Sequence, residues 1–317
     1  MPIYQGTSGS TYFTGNVISK QSKSVLFHAT CGQTLSKVAI KFVMTEKDTS
    51  QAGQVKSTPQ AYQLRELVVL EQIQKIDSPL FVKLLDVIYF ESSLGVAVGL
   101  VFPLYDMNML ELMISCKDRV TVNHLCYLLL QVAKGIQILH EHGIAHLDIK
   151  LENIMVNNWD QIVIIDFGFA ELGQPGNLID RFCGSFAYVS PEQIVQRPYD
   201  PFKSDIWSYG VLAFATLTKF LPFDTESDKD IDALFTCILT KDVHYPQFLS
   251  PGAKDFLSCM LDRNLRSRAT IYQIINHWWF KNEAMYVPGS ASNTPMMGSK
   301  VFRHTASLNV HHLKVGV

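Results

Sequence analysis

Short apolar runs rich in valine, isoleucine and phenylalanine recur through the first hundred residues, and turn residues separate them. This pattern is typical of β-strands. One helix interrupts the strands at about residues 60–75, where Leu67, Leu70 and Ile73 lie along one side. The strands are predicted at residues 24–29, 37–44, 86–92 and 95–102.

The pattern becomes helical in the rest of the chain. Leucine, valine and isoleucine recur at helical spacing over residues 125–139, which predicts a long amphipathic helix that ends near Glu141. Apolar runs at residues 154–156 and 162–166 flank a short segment and predict a hairpin. Residues 204–218 are apolar nearly all round, which predicts a buried central helix. Shorter helices are predicted at residues 231–240, 253–260 and 270–277.

These elements predict an α+β protein, with a β-rich N-terminal lobe that carries one main helix and a mainly helical C-terminal lobe. The two lobes meet near residues 103–107. The periodicity ends at about residue 282, and the small-residue stretch at residues 289–299 predicts a disordered C-terminal tail.

Composition and charge narrow the range of partners. Hydrophobic residues make up 47% of the 317 residues and charged residues 18%, which is typical of a globular protein. A formal net charge of −2 gives no general attraction to nucleic acid, so we expect no such partner. The longest apolar run, residues 96–105, is too short to span a bilayer, and the first residues lack a signal-peptide pattern. The six cysteines are scattered, which favours reduced thiols in the cytoplasm, with the nucleus left open.

A polar loop at residues 146–153 is the first candidate for chemistry, because it contains Asp148, Lys150 and Asn153. Asn153 precedes the first strand of the predicted hairpin and Asp166 ends the second, so antiparallel pairing brings the two residues close. An amide oxygen and a carboxylate suit Mg²⁺, which prefers oxygen ligands. Asp148 would be within reach of a hydroxyl that faces this metal. Taken alone, an ordinary polar loop is the more frequent explanation.

Further motifs follow in order along the chain. V-A-I-K ends at Lys41, H-L-D ends at Asp148, D-F-G begins at Asp166 and S-P-E ends at Glu192. Together with S-D-I-W-S-Y-G in the predicted buried helix, these motifs resemble the eukaryotic protein kinase family, most of all its calmodulin-dependent and AMP-activated groups. The resemblance implies a bilobal protein-kinase fold and a serine/threonine protein kinase.

The resemblance covers residues 10–281 and implies a single kinase domain there. An N-terminal extension at residues 1–9 would precede it, and the disordered tail at residues 282–317 would follow. Within the domain, the implied parts are the N-lobe at residues 10–102, the hinge at residues 103–107 and the C-lobe at residues 108–281.

Phosphoryl transfer needs groups that hold the phosphates, a metal ion and a group that accepts the hydroxyl proton. By resemblance, Asp148 would be the catalytic base and Lys150 would contact the transferring phosphate. Asn153 and Asp166 would hold Mg²⁺.

The resemblance places the other nucleotide-binding residues in the N-lobe, the hinge and the predicted hairpin. Lys41 would hold the α- and β-phosphates of ATP, with Glu66 as its ion-pair partner. The alternative for Glu66 is a solvated helix charge beside Arg65. The remaining positions implied to contact ATP are Val25, Ala39, Phe102, Leu104, Tyr105 and Met155.

The substrate would be a protein. Lys150, two residues after the implied base, is the serine/threonine form of this loop, and Ser185 stands where the family helps to hold such a substrate. The groups resembled often prefer basic residues before the target hydroxyl, and Glu152 and Glu111 are candidates to attract them. Two surface carboxylates without this role are an equal alternative. A regulatory partner is left open.

The glycine-rich loop of the family is missing. With Val25 aligned to the family's valine, Ile18, Lys20 and Lys23 stand where glycines are expected. Side chains there should hold the loop away from the phosphates and weaken ATP binding, with partial compensation by the lysine charges. The main alternative to an enzyme is therefore a pseudokinase that acts as a scaffold or regulatory module. A small-molecule kinase would not be expected to carry S-P-E or S-D-I-W-S-Y-G.

Two substitutions concern activation. Leu147 replaces the arginine of H-R-D, which in the family pairs with a phosphate on the activation segment, residues 166–192. Arg181 stands where related kinases often carry the phosphorylated threonine. We therefore predict that activity does not depend on phosphorylation of this segment. Mass spectrometry that finds a stoichiometric phosphate between Phe169 and Ser190, whose removal abolishes activity, would contradict the prediction.

Overall fold

The computed structural model describes residues 2–20, 24–45, 65–92, 95–116, 120–174, 176–225 and 230–283. The chain divides into two compact units, Met1–Tyr105 and Asp106–Val317. Three expectations fall wholly or partly outside the described residues. They are the start of the helix predicted at residues 60–75, the role of Lys23, and the predicted tail beyond residue 283.

The first unit is built on a six-stranded antiparallel sheet with the strand order β1-β2-β3-β4-β6-β5. All four predicted strands are confirmed, and the predicted helix is α1, Arg65–Ile73. Strands β1 and β2 were not predicted, because most residues of β2 are exposed and its apolar alternation is broken. The strands are β1 Ile3–Gln5, β2 Thr11–Lys20, β3 Ser24–Cys31, β4 Lys37–Thr45, β5 Asp86–Ser92 and β6 Gly95–Pro103.

The buried carboxylate of Asp86 ties the N-terminal turn to strand β5. Its Oδ1 accepts hydrogen bonds from the Thr7 hydroxyl at 2.9 Å and from the Ser8 amide at 3.0 Å. Its Oδ2 accepts from the Ser8 hydroxyl at 2.5 Å and from the Tyr12 hydroxyl at 3.0 Å. Residues 3–5, which lie in the predicted extension, thus form an edge strand of the sheet.

The second unit is mainly helical. Helix α3 ends at Glu141 as predicted, and α5, α6 and α7 confirm three further predictions. The helix predicted at residues 270–277 is wrong at its end, because α8 stops at Ile275 and α9 begins at Trp278. The short helices α2 and α4 were missed. The helices are α2 Met109–Ser115, α3 Val122–Glu141, α4 Pro191–Ile194, α5 Pro201–Thr218, α6 Ile231–Thr240, α7 Pro251–Met260, α8 Ile271–Ile275 and α9 Trp278–Glu283.

Helix α5 is the centre of the second unit. Every residue of it except Lys203 is buried, as its sequence, apolar nearly all round, predicts. Arg268 pairs with Glu192, since its guanidinium donates to both carboxylate oxygens at 2.6 and 2.9 Å. The same guanidinium lies 5.1 Å from the ring centroid of Trp207 in α5. These contacts join the segment before α5 to the segment before α8.

Among its described residues, the second unit also contains five short strands. The predicted hairpin is confirmed as β9 and β10, and β8 pairs with β11 close to the polar loop at residues 146–153. Asp166 does not end the second hairpin strand as predicted, because β10 stops two residues earlier. The strands are β7 Met107–Asn108, β8 Ile144–Ala145, β9 Ile154–Asn157, β10 Gln161–Ile164 and β11 Glu171–Leu172.

The two units have the predicted α+β character, one β-rich with a main helix and the other mainly helical. Over the part of the chain that the structure describes, no helix has both the length and the apolar character needed to cross a bilayer.

We predict that Asp86→Asn destabilises the first unit by about 1–3 kcal/mol, because an amide nitrogen would face hydroxyl donors that now meet a carboxylate. Burial alone would raise the pKa of Asp86, but the hydrogen bonds from Ser8, Thr7 and the Val87 amide outweigh it and hold the pKa below its usual value. The carboxylate therefore stabilises the fold at neutral pH, and this stabilisation is lost as the pH falls below the ordinary aspartate pKa.

Urea unfolding at neutral and acidic pH measures both effects. Asp77→Asn is the matched control, because Asp77 is exposed in the same unit. Equal stability of the two variants at neutral pH would contradict the prediction.

Candidate active site

The first unit brings Lys41 and Glu66 together. Alternation along β4 buries Val38 and Ile40 in a core cluster and directs Lys41 to the opposite side of the sheet. Glu66 lies in the first turn of α1 on its buried face. The Lys41 Nζ donates to both carboxylate oxygens of Glu66 at 2.9 Å. Glu66 is therefore an ion-pair partner rather than a solvated helix charge.

The other predicted nucleotide-binding residues of this unit lie on neighbouring strands. Val25 is half-buried in β3, and Ala39 of β4 is the direct neighbour of Phe102 in β6. Leu104 and Tyr105 follow the end of β6, and burial raises the pKa of Tyr105. Their role in nucleotide binding stays a prediction.

Strands β2 and β3 form the hairpin in which the family would have its glycine-rich loop. Ile18 and Lys20 lie in β2 and are exposed. Gly6 and Gly9 lie before β2, in the turn that docks on Asp86, and Gly15 lies within β2. The upstream glycines are therefore distant in sequence from residues 21–23, which connect β2 to β3 in the sequence and lie outside the described residues.

In the second unit, a fully buried carboxylate fixes the backbone of residues 146–153, which we call the catalytic loop after the role that the resemblance implies. Asp205 of α5 accepts from the amides of His146 at 2.8 Å and Leu147 at 2.7 Å. His140, at the end of α3, donates its Nε2 hydrogen to the same carboxylate at 2.9 Å. Leu147 has a φ of +63°, which is unfavourable for a leucine and marks a conformation imposed by its surroundings.

Asp148 lies at the centre of a closed hydrogen-bond network. Its Oδ1 accepts from the Ser185 hydroxyl at 2.9 Å, and Lys150 donates to that hydroxyl at 2.8 Å. Its Oδ2 lies 2.8 Å from the Lys150 Nζ and accepts from the Asn153 amide at 2.9 Å. Three predicted site residues are thus in direct contact, and Ser185 joins them from the activation segment.

The charge of Lys150 is maintained within this buried network. Burial alone would lower the pKa of Lys150, but the attraction of Asp148 and the hydrogen bond to it outweigh this effect. The pKa of Lys150 is therefore above its usual value, and the side chain is protonated at neutral pH.

His146 links the catalytic loop to the residue before Asp166. Its Nδ1 accepts from the Asp148 amide at 3.2 Å, so its Nε2 carries the hydrogen and donates to the Ile165 carbonyl at 3.0 Å. The ring also lies 4.8 Å, between centroids, from that of Phe167. Asp166 has a φ of +62°, which is rare outside glycine and is typical of a functional constraint.

The donor set at Asn153 and Asp166 fits Mg²⁺. The Asn153 nitrogen donates to the Asp148 carbonyl and carboxylate, which leaves the amide oxygen on the other side of the group. Ile165 donates its amide hydrogen to the Asn153 carbonyl at 3.0 Å, so the chain leading into Asp166 lies beside Asn153. One amide oxygen and one carboxylate are hard oxygen ligands of the kind that Mg²⁺ prefers. Met155 follows in β9 and pairs with Asn108 and Val163.

The two candidate acidic residues differ in their surroundings. Glu111 accepts from the Asn108 amide at 2.9 Å and completes the capping box of α2. Within the described residues, the Oε2 atom of Glu152 is buried without a hydrogen-bond partner. Burial raises the pKa of Glu152, although Lys150 opposes this effect.

Sequence reasoning missed the residues that support this site from outside its motifs. His140 is one of ten histidines and belongs to no motif that would single it out. Gln193 donates to the Cys183 carbonyl at 2.9 Å, and Tyr199 donates to the Arg181 carbonyl at 2.9 Å. These contacts arise from the packing of the activation segment on α4 and α5, which no local pattern encodes.

Comparison with known proteins indicates the same family as the sequence motifs. A family model described as protein kinase domain matches residues 17–280. CBL-interacting serine/threonine-protein kinase 1 of Arabidopsis thaliana is 40% identical over 161 residues, which are 50% of this chain and 35% of that protein. Carbon catabolite-derepressing protein kinase of Candida glabrata is 31% identical over 255 residues, which are 80% of this chain and 38% of that protein. The chain thus spans less than two fifths of the length of either relative.

We predict that Ser185→Ala lowers the rate of the phosphate transfer that the resemblance implies about tenfold, because Asp148 and Lys150 lose the hydroxyl that bridges them and their geometry loosens. Ser185→Thr keeps a hydroxyl and should retain most of the rate. Steady-state kinetics of the two variants check this, and equal rates for them would contradict the bridging role.

Proposed function

The chain belongs to the protein kinase family, and on that premise we propose that it is a serine/threonine kinase that transfers the γ-phosphate of ATP to protein substrates. The observation that carries the proposal is the closed network of Asp148, Lys150, Asn153 and Ser185. Its members are the groups that phosphoryl transfer needs from a protein, namely a base, a cation and a metal ligand.

Asp148 would act as the catalytic base. A carboxylate has about four lone-pair sites. Ser185 occupies one on Oδ1, while Lys150 and Asn153 occupy two on Oδ2. Among the described contacts, one site on Oδ1 is therefore left for the hydrogen of a substrate hydroxyl. The adjacent Ser185 would position that hydroxyl, which supports serine or threonine as the acceptor.

The remaining groups would handle the charge of ATP. Lys150, held protonated, would contact the γ-phosphate as it is transferred, and Lys41, oriented by Glu66, would contact the α- and β-phosphates. Asn153 and Asp166 would hold Mg²⁺. When bound, this ion would neutralise charge on the phosphates.

The geometry also bears on the sequence around the target residue. Glu111 already caps α2, whereas the Oε2 atom of Glu152 is buried without a described partner. Glu152 as a whole is only partly buried, so a basic side chain of the substrate would approach its accessible part and offset the cost of burying the carboxylate. We therefore favour substrates with a basic residue near the target hydroxyl, and Glu152 rather than Glu111 as the residue that binds it.

The main rival is a pseudokinase. Ile18 and Lys20, exposed in β2, stand where the family has glycines and would hold the phosphates at a greater distance. This feature predicts weak ATP binding, whereas the intact catalytic network supports turnover. The two hypotheses differ in whether the γ-phosphate of bound ATP is transferred to a substrate.

A transfer assay distinguishes them. Purified protein is incubated with Mg²⁺ and labelled ATP, and transfer to a basic serine peptide is measured beside Asp148→Asn, which keeps the shape of the side chain but lacks the base. We expect transfer by the wild type that falls at least about a hundredfold in the variant. A melting shift with Mg·ATP but transfer no greater than that of Asp148→Asn would support the pseudokinase.

A further inference from the structure

The activation segment contacts the catalytic loop at several consecutive residues. We infer that the ion pair of Arg181 with Glu171 holds this segment in place without a phosphate, which makes both of them positioning residues for Asp148 and Ser185. This inference rests on the proposed kinase function and concerns how its site is kept assembled.

The first of these contacts is apolar. Leu147, only 3% exposed, belongs to a buried cluster with side chains from β8, the activation segment and the start of α5. An arginine at this position would need a charged partner to be buried there, whereas leucine contributes apolar contact directly. The other members of the cluster are Ala145, Cys183, Tyr199 and Phe202, with Phe169 and Ile179 packed against them.

The next two residues of the segment continue the contact. A Cβ atom at Gly184 would lie 2.6 Å from the Leu147 carbonyl oxygen, and the φ of Gly184 is +97°, so glycine is required at this close approach. Ser185 then bonds Asp148 and Lys150. Residues 183–185 therefore lie against residues 147–150, and a shift of the segment would displace the catalytic network.

Arg181 secures the start of this contact. Its Nη2 lies 3.3 Å from the Glu171 carboxylate, donates to the Phe169 carbonyl and lies 3.5 Å from the Ala170 carbonyl oxygen. Glu171 belongs to β11, whose partner β8 leads directly into the catalytic loop. The guanidinium thus connects the middle of the activation segment to the strand pair that supports Asp148.

The charges are reversed relative to a phosphate-dependent segment. A phosphate carries about two negative charges and needs a cationic side chain to bind it. Here the segment carries the permanent positive charge of Arg181, and the receptor is the acidic Glu171. Leu147, at the position of the family's arginine, offers no positive charge. The ion pair that holds the activation segment is therefore present as soon as the chain folds.

A double-mutant cycle on the phosphatase-treated full chain tests the inference. Arg181→Gln should lower kcat for a basic serine peptide about tenfold or more while the KM for ATP is unchanged, because positioning and not nucleotide contact is lost. Glu171→Gln should lower kcat less, because Arg181 keeps its contacts with two carbonyls. The double variant should lose less than the sum of the two single losses, because the two residues share one interaction. Arg181→Lys should recover part of the loss.

Arg263→Gln is the matched control. The Arg263 side chain is 30% exposed, like that of Arg181, and it also contacts two carbonyls and one carboxylate, Asp242, away from the catalytic loop. We expect its kcat to be unchanged. A kcat for Arg181→Gln equal to that of this control, or additive losses in the cycle, would overturn the inference.

Amide hydrogen exchange tests the positioning role of Arg181 even if the wild type transfers no phosphate. In that case the proposed function is wrong, and the exchange result alone supports or overturns the inference. Exchange over residues 181–185 should rise in Arg181→Gln and not in Arg263→Gln, with equal melting temperatures for the two variants. Unchanged exchange, or a rise spread over the whole second unit, would overturn the inference.

Discussion

The catalytic loop depends on one buried carboxylate. Asp205, on the central helix α5, accepts the amide hydrogens of His146 and Leu147 and a ring hydrogen of His140. Hydrogen bonds to a charged group stabilise a fold by about 1.5–3 kcal/mol each. The left-handed backbone of Leu147 costs about 1–3 kcal/mol. The bonds outweigh this strain, so α5 can impose the conformation that places Asp148 beside Lys150.

From this anchor the site extends in two directions. Through His146 and the Asn153 carbonyl, the loop fixes the chain that leads into Asp166, where a metal ion would bind. Through Leu147 and Asp148, it receives the activation segment at residues 183–185. In both directions the contacts are made by neutral groups or by charged groups that have a partner within the chain. The arrangement therefore needs no added phosphate. Family membership and this geometry together explain how a chain without the H-R-D arginine can keep the catalytic network assembled.

Sequence reasoning succeeded where physical signals are local and failed where they are not. Strands β3 to β6 and helix α5 were predicted because their apolar patterns match their burial, whereas β2, with few buried side chains, gave no such pattern. The contact of Lys41 with Glu66 was expected from the motifs and not from spacing alone. No local pattern could have joined Ser8 to Asp86, 78 residues away, because that contact depends on how the whole sheet folds. The pairing of Arg181 with Glu171 was missed because it depends on how the activation segment folds back onto β11, which no local pattern encodes.

The central claim is that the site is assembled without phosphorylation, and the time course of transfer tests it most directly. Protein freed of phosphate by phosphatase is mixed with Mg·ATP and a basic serine peptide, and product is followed from the first turnovers. The account predicts a progress curve that is linear from mixing, with an initial rate proportional to enzyme concentration. A lag that shortens as the enzyme concentration rises would contradict it, because one molecule would then be activating another by phosphorylation.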